Sequence, residues 1–426
     1  MSLLLQLLLI LSLIVALAKA AGWLSARLGQ PAVFGELLVG LLLGPSVLNL
    51  FGWSAFAGAG AEEVVLVMAE LGVILLMLIA GMEVDLRDLR RAGKTALLAG
   101  VLGVILPLLG GWCLSRLFGY GSNAAFAVGV LLTATSVSIS AQTLLELGVL
   151  RSPEGIALLG AAVVDDVLVI LILSLETVFW TGQTGVGSIL LVVGRMVLFL
   201  GCGGFLCLWG LPRLMRRVER WPISAAVPTV ALVATFFTAW AADFIGGVAA
   251  ITGAFLVGLG LRRSQQHRAV VEAVHSIGYA LFVPLFFVSV GLQADVRALD
   301  GRLVLFGSLL ILVAVVTKVL GSSLGAMLGG FKPPSALRVG TGMISRGEVG
   351  LIVATVEIRE GWLDEHLFAV VMLLVLVSTL LTPPLLKRAF RSARPSRAPA
   401  EPRPGEKGPA DAARGKERPA GEGTAE

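Results

Sequence analysis

Two adjacent carboxylates, Asp165 and Asp166, sit in the stretch AAVVDDVLVI, inside an apolar run from about Gly155 to Leu173. That run has roughly the ~20 residues that a membrane-spanning helix needs. A carboxylate at such depth costs at least ~2.5 kcal/mol on insertion scales, so it persists only where it faces protein, water or a partner charge. Adjacent helical residues point about 100° apart. One aspartate can therefore face a fixed partner while the other faces an ion path. Two aspartates in the headgroup layer would be the plainer explanation, but their central position argues against it.

Three further segments place polar groups at membrane depth. Thr133 to Ser140 (TATSVSIS) carries five hydroxyls in eight residues. Such residues compete for backbone hydrogen bonds and bend helices, and non-helical backbone is tolerated in a membrane only when buried in protein or lining a cavity. Carbonyls freed there could ligate a small cation; close packing through small residues is the alternative. Lys318 lies near the centre of ILVAVVTKVLGSSLGAML. Snorkelling to the surface fits poorly at that depth, so a buried acidic partner is expected, Asp165 or Asp166. Gly342 to Gly350 (GMISRGEVG) sets three glycines and the Arg346/Glu348 pair in mid-segment. This suggests a second interrupted helix, whose charges neutralise each other or nearby helix ends.

The elements that must hold these groups are set by composition. Of 426 residues, 57% are hydrophobic and only 14% charged, against ~25% charged in an average soluble domain; mean hydropathy is +0.92. The chain reads as an all-α integral membrane protein. Cys113, Cys202 and Cys207 fall in apolar runs without metal-ligand spacing and read as small core residues. Residues 1–20 resemble a signal peptide ending in AKA, but no Lys or Arg precedes the apolar run, so a retained first helix is expected. Hydrophobic segments follow at about 31–50, 61–82, 95–118, 122–148, 154–180, 187–211, 222–242, 244–262, 270–292, 302–329, 335–357 and 363–386. About thirteen transmembrane helices result, the least secure division being at Asp243.

Thirteen crossings sort the basic residues. One face receives Arg87 to Lys94, Arg213 to Arg220, Arg262 to Arg268, Lys332 with Arg338, and Lys387 with Arg388. The other has isolated Arg116, Arg297, Arg302 and Arg359 among acidic residues such as Glu62, Asp295, Asp300 and Asp364. By the positive-inside rule the N-terminus is outside and the C-terminus cytoplasmic. Residues 391–426, rich in Pro, Ala, Gly and mixed charge, read as a disordered cytoplasmic tail. A polar, interrupted fifth helix precedes the Asp165/Asp166 helix, and Lys318 precedes a polar, interrupted twelfth. Helices four to six begin inside and eleven to thirteen outside, the pattern of an inverted repeat with a midplane site between its halves.

With these motifs in view, the chain resembles the Kef/Nap branch of the monovalent cation:proton antiporters, most closely the bacterial NapA-type sodium/proton antiporters. The matching stretches are QPAVFGELLVGLLLGPSVL, LGVILLMLIAGMEVDL, TATSVSISAQTLLELG, AAVVDDVLVI, PLFFVSVGL, TKVLG and GMISRGEVGLIVA, in order across residues 1–390. The resemblance implies a homodimer in the bacterial inner membrane, and a role in sodium tolerance and pH homeostasis. Each protomer would have a core domain (about 95–180 and 302–386), with the remainder mainly scaffold and linker. It further implies that Asp166 is the principal ion-binding carboxylate, that Asp165 is paired with Lys318, and that two broken helices cross near Thr133–Ser136 and Arg346–Glu348. The expected sodium ligands are Asp166, Asp165 and Thr133. Lys318 and Ser136 join them in proton coupling, and Thr135, Arg346 and Glu348 form the supporting polar network. No cofactor and no nucleic acid is expected; the partners are Na+, H+ and membrane lipid.

Kef members typically carry Gln-Asp where this chain has Asp165-Asp166, and many carry a nucleotide-binding domain after the last helix. Neither feature is present, so sodium/proton exchange is preferred over a Kef-type potassium system, with lithium and potassium as alternative substrates. An intramembrane aspartyl protease needs two aspartates sharing a proton; sequence neighbours on one helix point apart, so an enzyme is not expected. A cation channel is opposed by a buried lysine beside the ion-binding carboxylate. Alternating access around Asp166 is the expected mechanism, with Asp165 and Lys318 as a coupled charge pair whose titration makes exchange electrogenic.

Overall fold

The computed structural model describes residues 2–53, 56, 60–181, 186–293, 301–359 and 361–391. Among them the chain is helical, with no strand. The first helices are α1 (Leu3–Arg27), α2 (Ala32–Leu43), α3 (Ala61–Glu83) and α4 (Leu86–Leu117). The next are α5 (Ser122–Leu131), α6 (Val137–Glu146), α7 (Pro153–Thr181), α8 (Val186–Leu198) and α9 (Leu211–Val218). Then come α10 (Ala226–Ala241), α11 (Ala250–Arg262), α12 (His267–Ile277) and α13 (Val283–Leu292). The last four are α14 (Gly301–Leu328), α15 (Pro333–Gly342), α16 (Glu348–Arg359) and α17 (Glu365–Phe390). Nine stretches among the described residues are long and apolar enough to cross a membrane, while Ala32–Leu43, Ser122–Leu131 and Ala250–Arg262 are shorter apolar helices.

Each expected hydrophobic segment falls on a helix, a continuous run of helical turns or a pair of half-helices. The division at Asp243 holds: α10 ends in a wide helical turn at Ala242–Gly246, and Gly247 turns the chain at φ 64° before α11. The Arg87–Lys94 cluster is not a loop but the opening turns of α4. At 32 residues that helix is about 48 Å long and carries its charged end past the apolar stretch. Asp85 caps it by accepting from the Arg87 N–H, which with the Arg87 side chain lowers the Asp85 carboxyl below its ordinary range. Cys207 is buried, but Cys113 and Cys202 are exposed on the outside of the bundle, which corrects their expected place in the core. Residues 392–426, Asp295, Arg297 and Asp300 lie outside the described residues.

Two groups of helices emerge. In one, α1, α2 and α13 share an apolar cluster that includes Ile10, Ile14, Val39 and Leu285, and α3 packs on α11 and α13. In the other, α4 packs on α7 and α14, with α5, α15 and α17 against them. The α4–α14 contact runs through small residues. Gly329 lies against Thr95, Gly325 against the Leu98 carbonyl and Gly321 against the Leu102 carbonyl. Residue numbers rise along one helix as they fall along the other, so the two are antiparallel. Both helices open the same series of a long helix, an interrupted helix and a long helix. Antiparallel packing of corresponding helices is what an inverted repeat requires, and glycine lets the backbones approach closely.

Candidate functional site

Both interruptions occur where the sequence is polar. The chain leaves α5 through a tight turn in which the Thr133 N–H and hydroxyl both donate to the Val130 carbonyl, at 2.9 and 2.5 Å. It becomes helical again after Ser136, whose backbone is extended. The second interruption covers Met343 to Gly347, between α15 and α16. The two breaks meet. The Ser136 N–H donates to the Ser345 carbonyl at 2.8 Å, and the Ser345 hydroxyl donates to the Ser136 carbonyl at 2.7 Å. Ser140 donates to the Gly342 carbonyl and lies 3.0 Å from the Ser345 hydroxyl. A Cβ on Gly347 would stand 2.7 Å from Ser136 Oγ, so the absence of a side chain there permits the approach. Backbone groups that each helix loses at its break are thereby taken up by the other, as burial requires.

Charged side chains occupy the same crossing. Lys318, on α14, donates to Asp165 Oδ1 at 2.8 Å and to the Thr133 carbonyl at 2.6 Å. Arg346 donates to the Ala134 carbonyl, and its own carbonyl accepts from the Thr379 hydroxyl of α17. The Thr135 hydroxyl lies beside Asp165, with Arg346 within electrostatic range. Asp166 lies within electrostatic range of Lys318. Asp165 and Lys318 are 0% exposed, Asp166 2% and Arg346 1%. Burial on this scale is tolerable for ions only when they are paired and hydrogen-bonded. Among the described side chains two cations face two aspartates, so the cluster is neutral when all four are charged. An added cation must then displace positive charge, and the proton is the only mobile positive charge these residues can release.

The structure therefore gathers Thr133, Thr135, Asp165, Asp166, Lys318 and Arg346 around the crossing, with Ser136 in the backbone bridge. Arg346 acts on a helix end; the Glu348 side chain lies outside the described residues. Ser140 and Ser345 stood in the polar stretches, but nothing in their spacing showed that they would meet. Thr379 had only the polar step VSTLLT in the last helix to mark it.

A cleft of 690 Å³ lies between the two helix groups, lined in part by Lys19, Glu36, Gln142, Glu146, His275 and Tyr279. Asp165, Asp166 and Lys318 do not line it. Tyr279 donates to Gln142 at 2.6 Å, Gln142 donates to Glu146 at 2.9 Å, and Glu146 accepts from the Ala32 and Val33 N–H groups at the start of α2. Lys19 bridges buried Glu36 at 3.0 Å.

Residues 11–391 match the transmembrane sodium/hydrogen exchanger family. The chain is 37% identical over 381 residues to the Na(+)/H(+)-K(+) antiporter GerN of Bacillus cereus, covering 89% of this chain and 95% of that protein. It is 38% identical over 380 residues to a Na(+)/H(+) antiporter of Enterococcus hirae, covering 89% and 96%. Its fold is similar to that of the sodium proton antiporter MjNhaP1 of Methanocaldococcus jannaschii, with a TM-score of 0.68 at 16% identity over 91% of this chain and 97% of that one.

Proposed function

Because the chain belongs to the transmembrane sodium/hydrogen exchanger family, we propose that sodium and protons compete for one buried site at Asp166, with Asp165 and Lys318 as its coupled charge pair. The protein is an antiporter that exchanges a monovalent cation for protons across a membrane. The observation that carries the site assignment is the enclosed cluster of two aspartates, Lys318 and Arg346 where two interrupted helices cross. Asp166 holds either a proton or a sodium ion. Oxygen atoms from the break at Thr133–Ser136, and from Asp165, complete the shell that a hard cation favours.

Lys318 holds Asp165 and the Thr133 carbonyl while no sodium is bound. Sodium draws on the same oxygens, loosens that pair and displaces a proton from Lys318 as well as the one on Asp166. Two protons against one sodium make the exchange electrogenic. The group built on α4–α7 and α14–α17 acts as the moving core, and the group holding α1–α3 and α10–α13 as the scaffold of a homodimer. The polar bridges across the cleft are the contacts such movement would remake. The N-terminus lies outside a bacterial inner membrane and the C-terminus in the cytoplasm, which is supported by the gathering of Arg262 with Asp85 and of Arg151 with Glu83 at one end of the bundle.

Ion choice is tested by proton movement in proteoliposomes given sodium, lithium and potassium in turn. Sodium is expected to drive it. Exchange with potassium and none with sodium would contradict sodium as the substrate.

A further inference from the structure

A second pair of carboxyl groups is enclosed elsewhere in the bundle. Glu176, ten residues beyond Asp166 on α7, is 1% exposed, and Glu357 on α16 is 0% exposed. Their carboxyl groups lie within hydrogen-bonding reach of each other. None of the four oxygens receives a hydrogen bond from any donor among the described residues. The surroundings are apolar: Ile172 and Leu173, one turn before Glu176, share a cluster with Val353, one turn before Glu357.

Among the described residues, several charged groups on the helices packed against α7 and α16 are engaged elsewhere. Arg116 of α4 donates to the Tyr120 carbonyl, and Arg195 of α8 to the Phe244 and Ile245 carbonyls. Asp364 caps α17, Glu146 of α6 caps α2, and Arg338 of α15 pairs with Glu154. Among the described residues, the only titratable group acting on either glutamate is the other.

Two ionised carboxylates cannot face each other in such a place. Burial penalises both charges, like charge penalises the second again, and no donor offsets either. Removing one negative charge with a proton turns the repulsion into an O–H···O hydrogen bond, as in other carboxyl dyads. We infer that Glu176 and Glu357 form a second proton-binding site, holding a shared proton that bonds α7 to α16. About 15 Å of helix separates it from Asp166, and its occupancy does not depend on the Asp166 assignment. Loss of the proton at alkaline pH would leave two facing charges and push the two helix ends apart.

The test is infrared difference spectroscopy of the purified full chain between neutral and alkaline pH, in H2O and D2O. It is run on the wild type, Asp166→Asn, Glu176→Gln and Glu357→Gln. Glutamine keeps the side-chain shape and offers an N–H to the remaining carboxylate, so each single variant is expected to fold. A protonated-carboxyl band is expected at neutral pH that shifts in D2O, fades on alkalinisation and persists in Asp166→Asn. Both Gln variants should lack it, and sodium should leave it unchanged. Absence of the band from Asp166→Asn, or Gln variants that retain it, would overturn the inference. Sodium supplies a second check: a band bleached by sodium in Asp166→Asn would make the pair a cation site and overturn the shared-proton reading. Should one Gln variant fail to fold, the other together with the Asp166→Asn spectrum still decides.

Discussion

Lys318 Nζ stands 2.8 Å from Asp165 Oδ1, and neither side chain is exposed to solvent. A third atom, the Thr133 carbonyl oxygen, shares the ammonium at 2.6 Å. One cation thus ties the carboxylate of α7 to the broken end of α5. Under the proposed assignment, a cation that draws Lys318 away from Asp165 would also free the carbonyl oxygen at the break.

Replacing Lys318 with Gln leaves Asp165 without its cation. Breaking a buried pair costs ~3–5 kcal/mol, a cost that protonation of Asp165 partly relieves at the expense of its place in the cycle. The variant should melt at lower temperature. Any exchange that survives should lose its voltage response, since one net charge per cycle is worth ~2.3 kcal/mol at 100 mV. Sodium-driven proton movement with the potential held at zero or negative inside measures this. A stable variant with full voltage response would place the charge-coupling proton elsewhere.

Thr133 donates its hydroxyl proton to the Val130 carbonyl, which leaves the oxygen lone pairs free to face a cation. Thr133→Ala should therefore raise the sodium concentration for half-maximal exchange more than it lowers maximal rate. Half-saturation unchanged with a lower melting temperature would mean that the hydroxyl only closes the α5 turn.

Much of this site is legible in the sequence because membrane burial makes polarity conspicuous. Five hydroxyls between Thr133 and Ser140 mark a break, and a mid-membrane Lys318 demands an acid. The register of the crossing is not legible: Ser136 meets Ser345 only because two distant chain segments pack, and no local spacing encodes that. Arg346 carried two possible targets, and only the fold shows it on the Ala134 carbonyl. The pairing of Glu176 with Glu357 is not legible either, since nothing in either segment shows that the two will face each other. The α4–α14 contact is written in Gly321, Gly325 and Gly329, but glycine spacing names no partner.

Ser345→Ala tests the crossing itself. It removes the donor to the buried Ser136 carbonyl, a loss of ~1–3 kcal/mol where nothing replaces it. A clearly lower melting temperature is expected, restored in Ser345→Thr if the larger side chain fits. No change in melting temperature would show that the break does not depend on this bond.

Tyr279→Phe removes one bond across the cleft between the helix groups. A net ~1 kcal/mol corresponds to about a fivefold shift between two states. Turnover should change by a few-fold while the melting temperature barely moves. An unchanged turnover would mean that this bridge is not remade during transport.

The most direct test of the site is Asp166→Asn, reconstituted beside wild type and assayed for coupled sodium/proton exchange after folding and oligomeric state are verified. Asparagine can still offer an oxygen, but it cannot take up and release the proton. A folded variant with no exchange is the expected result. Coupled exchange at near wild-type rate would contradict Asp166 as the residue where sodium and protons compete.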